Sequence, residues 1–237
     1  MGVNIGQGNK LKRKAATVKK KAVILLSGGL DSAVVLYYAL SKGYNLSCVS
    51  FDYGQRHRKE LICARRLAKL NNSKWQLVKM SFPWKGSALL DDGMKLSQSG
   101  KMTKGVPNTY VPSRNIIFLS YAASYAEVIG ADTIFIGANQ IDYSGYPDCR
   151  GSFLSAFETA INKGTKRGVS GKKIKIISPL LRKNKRDIIN MGYKLGVCFE
   201  YTWSCYKGES VVCGKCDSCV IREKGFKAAG IKDPLKK

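Results

Sequence analysis

The sequence predicts an α/β fold, a doubly wound five-stranded parallel sheet with a small cysteine-rich element at the C-terminal end. Three observations predict it. Short apolar runs alternate with helix-length stretches along the chain, a diglycine turn joins the first strand to the first helix, and four cysteines crowd between positions 205 and 219.

The elements follow in order. "AVILL" (22–26) is a continuous apolar run of strand length, and "LDSAVVLYYALSKG" (30–43) is a helix closed by Gly43. "LSCVSFDYG" (46–54) supplies the second strand and its turn, completing a β–α–β unit. A helix over 58–71, a strand over 74–80, a long helix over 113–130 and a strand over 132–139 come next. Then come a helix over 151–164, a strand over 173–180 and a helix over 184–196. Strands separated by helices must pair in parallel, because each crossover helix lies over a sheet face. Ligands of such sheets gather beyond the carboxyl ends of the strands, so the informative loops follow Leu26, Asp52, Gly137 and Ser178. The polar, glycine-rich stretch 83–112 is too long for a plain connection and reads as a partly mobile lid.

Composition bounds the function. At 237 residues the chain holds one sizeable domain with an appended element, divided as a basic leader (1–20), an α/β domain (21–198) and a four-cysteine and helical element (199–237). Apolar runs stop well short of about 20 residues, so no membrane span is expected. No apolar segment precedes a small-residue cleavage site, which points to the cytoplasm. Lysine and arginine number 41 against 16 acids, a formal charge of +25; seven of the basic residues lie in 1–21, so the excess is not confined to the leader. Such a charge suits phosphate-rich ligands, and equally a merely solvated basic face.

The first turn, Ser27-Gly28-Gly29-Leu30-Asp31-Ser32, runs straight into a helix, so backbone N–H groups and the helix dipole face an incoming anion together. Glycines let phosphate oxygens approach the backbone, and Ser27 and Ser32 add hydroxyl donors. The lysine of a Walker loop is absent and the glycine spacing is not that of a dinucleotide fingerprint. Asp31 would repel bare phosphate, so it either coordinates magnesium or orients the loop amides. A serine-nucleophile elbow does not fit, and His57 is the single histidine.

Cys205, Cys213, Cys216 and Cys219 have the spacing of a tetrahedral four-sulfur zinc site, with Gly214 easing the turn. A closed thiolate shell leaves no position for water, so the ion would staple structure, not catalyse. An iron–sulfur cluster is the rival on spacing alone.

"SGGLDS" after a first strand resembles the signature of the PP-loop ATP pyrophosphatases. With "FDYGQRH" (51–57), "VPSRN" (111–115), "GANQIDYSGYPDCR" (137–150) and "TWSCYKGESVVCGKCDSCVIR" (202–222), the chain from about Lys21 to Lys227 resembles the 7-cyano-7-deazaguanine synthase family. The basic leader and the high lysine and arginine content depart from that pattern.

The resemblance implies an ATP-dependent ligase acting on small molecules, 7-carboxy-7-deazaguanine and ammonia, with one structural Zn2+, Mg2+ with ATP, and a homodimeric assembly that needs no nucleic acid. It implies that Leu26, Ser27, Gly28, Gly29, Leu30, Asp31, Ser32 and Ala33 hold the nucleotide, and that Asp31, Arg114 and Lys185 serve phosphoryl chemistry. On the acceptor side it points to Gln55, Arg56 and His57 and to Asp142, Tyr146, Asp148 and Arg150, with Asp142 or Asp148 reading the guanine-type edge and Tyr143 or Tyr146 stacking on the base. Two other readings stay open on sequence: a PP-loop enzyme adenylating tRNA, and a zinc-dependent nucleic-acid binder without catalysis. ATP consumption separates the second from any enzyme.

Overall fold

The computed structural model describes residues 20–96, 105–141, 145–207 and 210–236. All but the last residue of the basic leader, and the centre of the expected lid, therefore lie outside the described residues. Five strands, β1 (Lys21–Leu25), β2 (Asn45–Asp52), β3 (Lys74–Lys79), β4 (Thr133–Phe135) and β5 (Lys175–Ile177), pair in parallel in the order β3-β2-β1-β4-β5. The chain winds outward from β1 to β3, then returns to β4 on the other side of β1. The loops after β1 and β4 therefore diverge and open a crevice at the strand ends.

Among the described residues, seven α-helices surround the sheet: α1 (Leu30–Ser41), α2 (Lys59–Leu70), α3 (Arg114–Ile129), α4 (Gly151–Gly164), α5 (Lys166–Val169), α6 (Lys185–Lys194) and α7 (Asp217–Ala229). Strand β1 shows why both faces need cover. Ala22 and Ile24 point into one core with Leu36, Ile188, Ile189 and Phe226, while Val23 and Leu25 point into the other with Leu119, Ala122 and Leu154. The period of two places alternate apolar side chains on opposite faces, so a continuous apolar run marks a strand buried on both sides.

Strands β4 and β5 are shorter than their apolar runs. Ile136 N–H still donates to Ile177 O at 3.1 Å, but the chain then leaves the ladder. Ser178 Oγ donates to Ala138 O at 2.7 Å and Pro179 has no N–H to offer, so side-chain bonds replace the sheet beyond Ile177. The short α5 was not foreseen; Thr165 caps it by accepting from Gly168 N–H at 3.1 Å. The described flanks of 83–112 are anchored: Phe82, Ala88, Leu89 and Val111 are buried in the α3 side of the core or beside it.

The C-terminal element docks onto this frame. Helix α7 lies so close to α6 that a Cβ on Gly225 would come within 2.4 Å of Lys185 Cγ. Arg222 clamps the tail: Nε and Nη2 donate to Asp233 at 2.8 and 2.9 Å, and Nη1 donates to Thr202 Oγ1 at 2.8 Å. Both partners of this pair are buried. Arg222→Met would strand the Asp233 carboxylate, and we expect about 3–5 kcal/mol less stability in urea unfolding. Asp233→Asn, which keeps an acceptor oxygen, should cost less. Among the described residues no helix is long and apolar enough to cross a membrane.

Candidate active site

The turn after β1 forms because Gly28 adopts φ +87°, a left-handed conformation that side chains disfavour. A Cβ there would lie 1.9 Å from Glu60 O, so the turn rests on the first turn of α2 with no room for any other residue. Serine hydroxyls brace it. Ser32 Oγ donates to Gly29 O at 3.0 Å and accepts from Gly28 N–H at 3.2 Å, while Ser27 Oγ accepts from Gly29 N–H at 3.2 Å. The N–H groups that open α1 have no intrahelical acceptor, and with the helix dipole they give this turn an electropositive face suited to an anion. Trp203 N–H donates to Gly28 O at 2.9 Å, so the cysteine-rich segment also holds the turn.

This turn forms one wall of a cleft of about 240 Å³, lined also by Phe51, Tyr53, His57, Glu60, Arg114, Asn139, Tyr146, Lys185, Trp203 and Tyr206. Lys185, at the start of α6, donates to both oxygens of Asp31 at 2.6 and 2.9 Å. The pair, 154 residues apart in sequence, neutralises the acid that faces the anion site. Opposite, Arg114 opens α3. Burial would lower its pKa, but neighbouring Tyr53, Tyr146, Cys149 and Asp148 outweigh that, so it is firmly cationic. Burial pushes the hydroxyls of Tyr53 and Tyr146 up, so both are neutral donors at physiological pH. Phe118, stacked on Phe51 at 3.9 Å, adds an aromatic face.

The sequence-predicted residues divide. Leu26, Ser27, Gly29, Leu30, Asp31, Ser32, His57, Arg114, Tyr146 and Lys185 line the cleft together, whereas Gly28 faces α2 and Ala33 is buried in the core. Gln55 does not line it. Its Oε1 accepts from Tyr53 N–H at 2.8 Å and its Nε2 donates to Phe51 O at 3.0 Å, which clasps the end of β2. Arg56 turns away to Met94 O at 3.0 Å and to Asp92 at 2.8 Å, tying down the 83–96 segment. Asp148 is buried beneath the cleft, accepting from Asn115 N–H at 3.1 Å and holding the start of α3. Arg150 is exposed at the start of α4. Asp142 and Tyr143 lie outside the described residues.

Sequence reading missed Glu60. Its Oε2 lies 3.3 Å from His57 Nε2, with both side chains largely buried. Burial alone would push the imidazole down, but Glu60 outweighs it and His57 titrates above the usual histidine value. The one available signal was an acid three residues after His57 at a helix start. Trp203 and Tyr206 were missed as cleft residues because they belong to the cysteine-rich segment, which wraps back over the sheet.

The ligand atoms of Cys205, Cys213, Cys216 and Cys219 all lie within 4.8 Å of one another, the one such group of His, Cys, Asp or Glu among the described residues. A tetrahedral ion with metal–sulfur bonds near 2.3 Å separates its sulfurs by about 3.8 Å. Cys213 and Cys219 Sγ stand 3.9 Å apart, so the shell fits a metal ion. Cys205 Sγ accepts from Cys213 N–H at 3.3 Å and Cys213 Sγ from Cys216 N–H at 3.4 Å, contacts that favour thiolates. Hydrogen bonding from Cys216, then Cys219, holds Cys205 well below the usual thiol range.

A 7-cyano-7-deazaguanine synthase of Clostridium kluyveri is 54% identical to this chain over 220 residues, covering 92% of the chain and 97% of the relative. One of Thermoplasma volcanium is 51% identical over 219 residues, covering 92% and 90%. Among solved structures, NMN synthetase from Francisella tularensis superposes with a TM-score of 0.50 over 90% of this chain and 79% of its own, at 15% identity, a likeness of fold. Residues 21–230 match the family described as queuosine biosynthesis protein QueC, and with that span and these relatives the chain belongs to that family.

Proposed function

We propose that this chain is an ATP-dependent ligase that converts 7-carboxy-7-deazaguanine and ammonia into 7-cyano-7-deazaguanine through adenylated intermediates. The observation that carries the reading is the braced Ser27–Ser32 turn at the sheet's switch point, opening into the same cleft as Arg114 and Lys185, in a chain about half identical to synthases of that name.

A carboxylate resists ammonia because its negative charge repels a lone pair and no good leaving group is present. Transfer of the α-phosphate to a carboxylate oxygen supplies AMP as that leaving group, and pyrophosphate departs onto the amides of the turn and the start of α1. Arg114 and Lys185 stabilise the negative charge that builds on the phosphates; Asp31, paired with Lys185, is the carboxylate that would hold magnesium, which would offset further phosphate charge. Ammonia displaces AMP to give an amide. A second adenylation, on the amide oxygen, lets AMP leave again and the nitrile form. Phe118, Tyr53 and Tyr146 offer aromatic surface and hydroxyl donors to the deazaguanine.

Zinc suits the four-cysteine shell, where it fixes the wall carrying Trp203 and Tyr206. The same reading makes the protein a cytoplasmic homodimer that needs no nucleic acid. Metal-loaded, folded protein given the carboxylate, ammonium, ATP and magnesium should yield the nitrile by mass spectrometry with release of AMP. The absence of both product and AMP would overturn the reading.

A further inference from the structure

His57 and Glu60 occupy the cleft without a part in the nucleotide chemistry above. Glu60 accepts from Gln55 Nε2 at 3.4 Å on Oε1 and meets His57 Nε2 at 3.3 Å on Oε2. A carboxylate on one ring nitrogen fixes the proton there, which leaves the other nitrogen as the lone-pair acceptor. That other nitrogen, His57 Nδ1, is buried and has no hydrogen-bond partner among the described residues. An unmet buried acceptor costs stability, on the order of 1–3 kcal/mol, and is retained where a ligand completes it.

The position of this nitrogen is tied to that of the leaving group. The backbone of Glu60 is the surface against which Gly28 packs, so the residue that orients His57 also seats the pyrophosphate turn. The imidazole lines the same cleft as Arg114 and the Ser27–Ser32 turn. Tyr206 flanks the ring at 5.7 Å between centroids. His57 is only 4% exposed, which suits a ligand as small as ammonia better than a ring edge.

We propose that His57 Nδ1 seats the ammonia nucleophile and takes its proton as the C–N bond forms, with Glu60 as the residue that positions the imidazole. The proposal rests on the ligase reading. In the step, the nitrogen lone pair forms the bond to the acyl carbon and the C–O bond to AMP breaks, AMP leaving with that electron pair. One of the three ammonia protons passes to Nδ1 and then to solvent, so acyl adenylate and ammonia become amide, AMP and a proton. Burial away from water keeps the acyl adenylate from hydrolysis while the base is engaged.

The test compares wild type with His57→Gln, which retains a donor toward Glu60 but has no basic nitrogen, and with Glu60→Gln. Three reactions are followed on full-length, metal-loaded protein: carboxylate-dependent ATP–pyrophosphate exchange without ammonia, nitrile formation with ammonia, and hydroxamate formation with hydroxylamine. Hydroxylamine is mostly unprotonated at neutral pH and more nucleophilic, so it needs the base least. For His57→Gln we expect exchange and hydroxamate within about threefold of wild type and nitrile formation reduced about 100-fold or more. Glu60→Gln should show the same split at about 10-fold. A loss of nitrile formation under threefold would overturn the proposal, as would a parallel loss of all three reactions or a rise in KM for the carboxylate alone. Wild type lacking exchange altogether would overturn the ligase reading instead.

Discussion

Gly28→Ala is expected to abolish ATP-dependent turnover and to lower stability by about 3 kcal/mol or more. Two costs add: a left-handed backbone at φ +87° penalises any Cβ, and that Cβ would sit 1.9 Å from Glu60 O and 2.7 Å from Ala64 N. The neighbour is helix backbone, which cannot swing aside as a side chain can. The turn must lift from α2, and the α1 amides lose their common direction. Urea unfolding and calorimetric titration with ATP measure the two effects. Gly43→Ala is the control, since Gly43 also has positive φ, at +78°, but faces open space; it should cost about 1 kcal/mol and leave turnover unchanged. Equal effects at the two sites would show that backbone conformation, not contact with α2, governs the turn.

Cys216→Ser should reduce bound metal from about one ion per chain to almost none and lower stability by at least about 4 kcal/mol, or roughly 10 °C in Tm for a chain of this length. Cys216 sits immediately before α7 and Cys219 lies in its first turn, so losing one sulfur frees the helix start. Damage should spread along a defined route. Trp203, packed against the cysteines, donates its backbone N–H to Gly28 O at 2.9 Å, so loosening the shell removes a bond directly from the Ser27–Ser32 turn. Chelation of the wild type should reproduce the variant. Full stability and turnover without metal would contradict a structural role.

Much of the frame was legible because local patterns answer to local physics. The run Ala22–Leu26 buries both faces of β1, Gly43 ends α1 in a left-handed residue, and the serine–glycine pattern marks the tight turn where strand meets helix. What stayed illegible depends on contacts between distant segments. Apolar residues beyond Phe135 and Ile177 look like strand, yet the chain leaves the ladder where Gly137 closes on Ser32 and Ser178 bonds to Ala138. Nothing local pairs Asp31 with Lys185. The acceptor-side residues fared unevenly for the same reason: a polar side chain after a strand end can face the cleft or hold loops in place, and here Gln55 stitches its own loop while Arg56 reaches the 83–96 segment. Glu60 was passed over because an acid in a first helical turn is ordinary on its own and gains meaning only against His57.

The central claim, that the cleft adenylates the two acceptor oxygens in succession, is tested most directly by following oxygen. With 7-carboxy-7-deazaguanine labelled with 18O at both carboxylate positions, the account predicts two AMP molecules per nitrile, each carrying one 18O atom, and unlabelled pyrophosphate. Label in pyrophosphate or in free phosphate, or AMP without label, would contradict it.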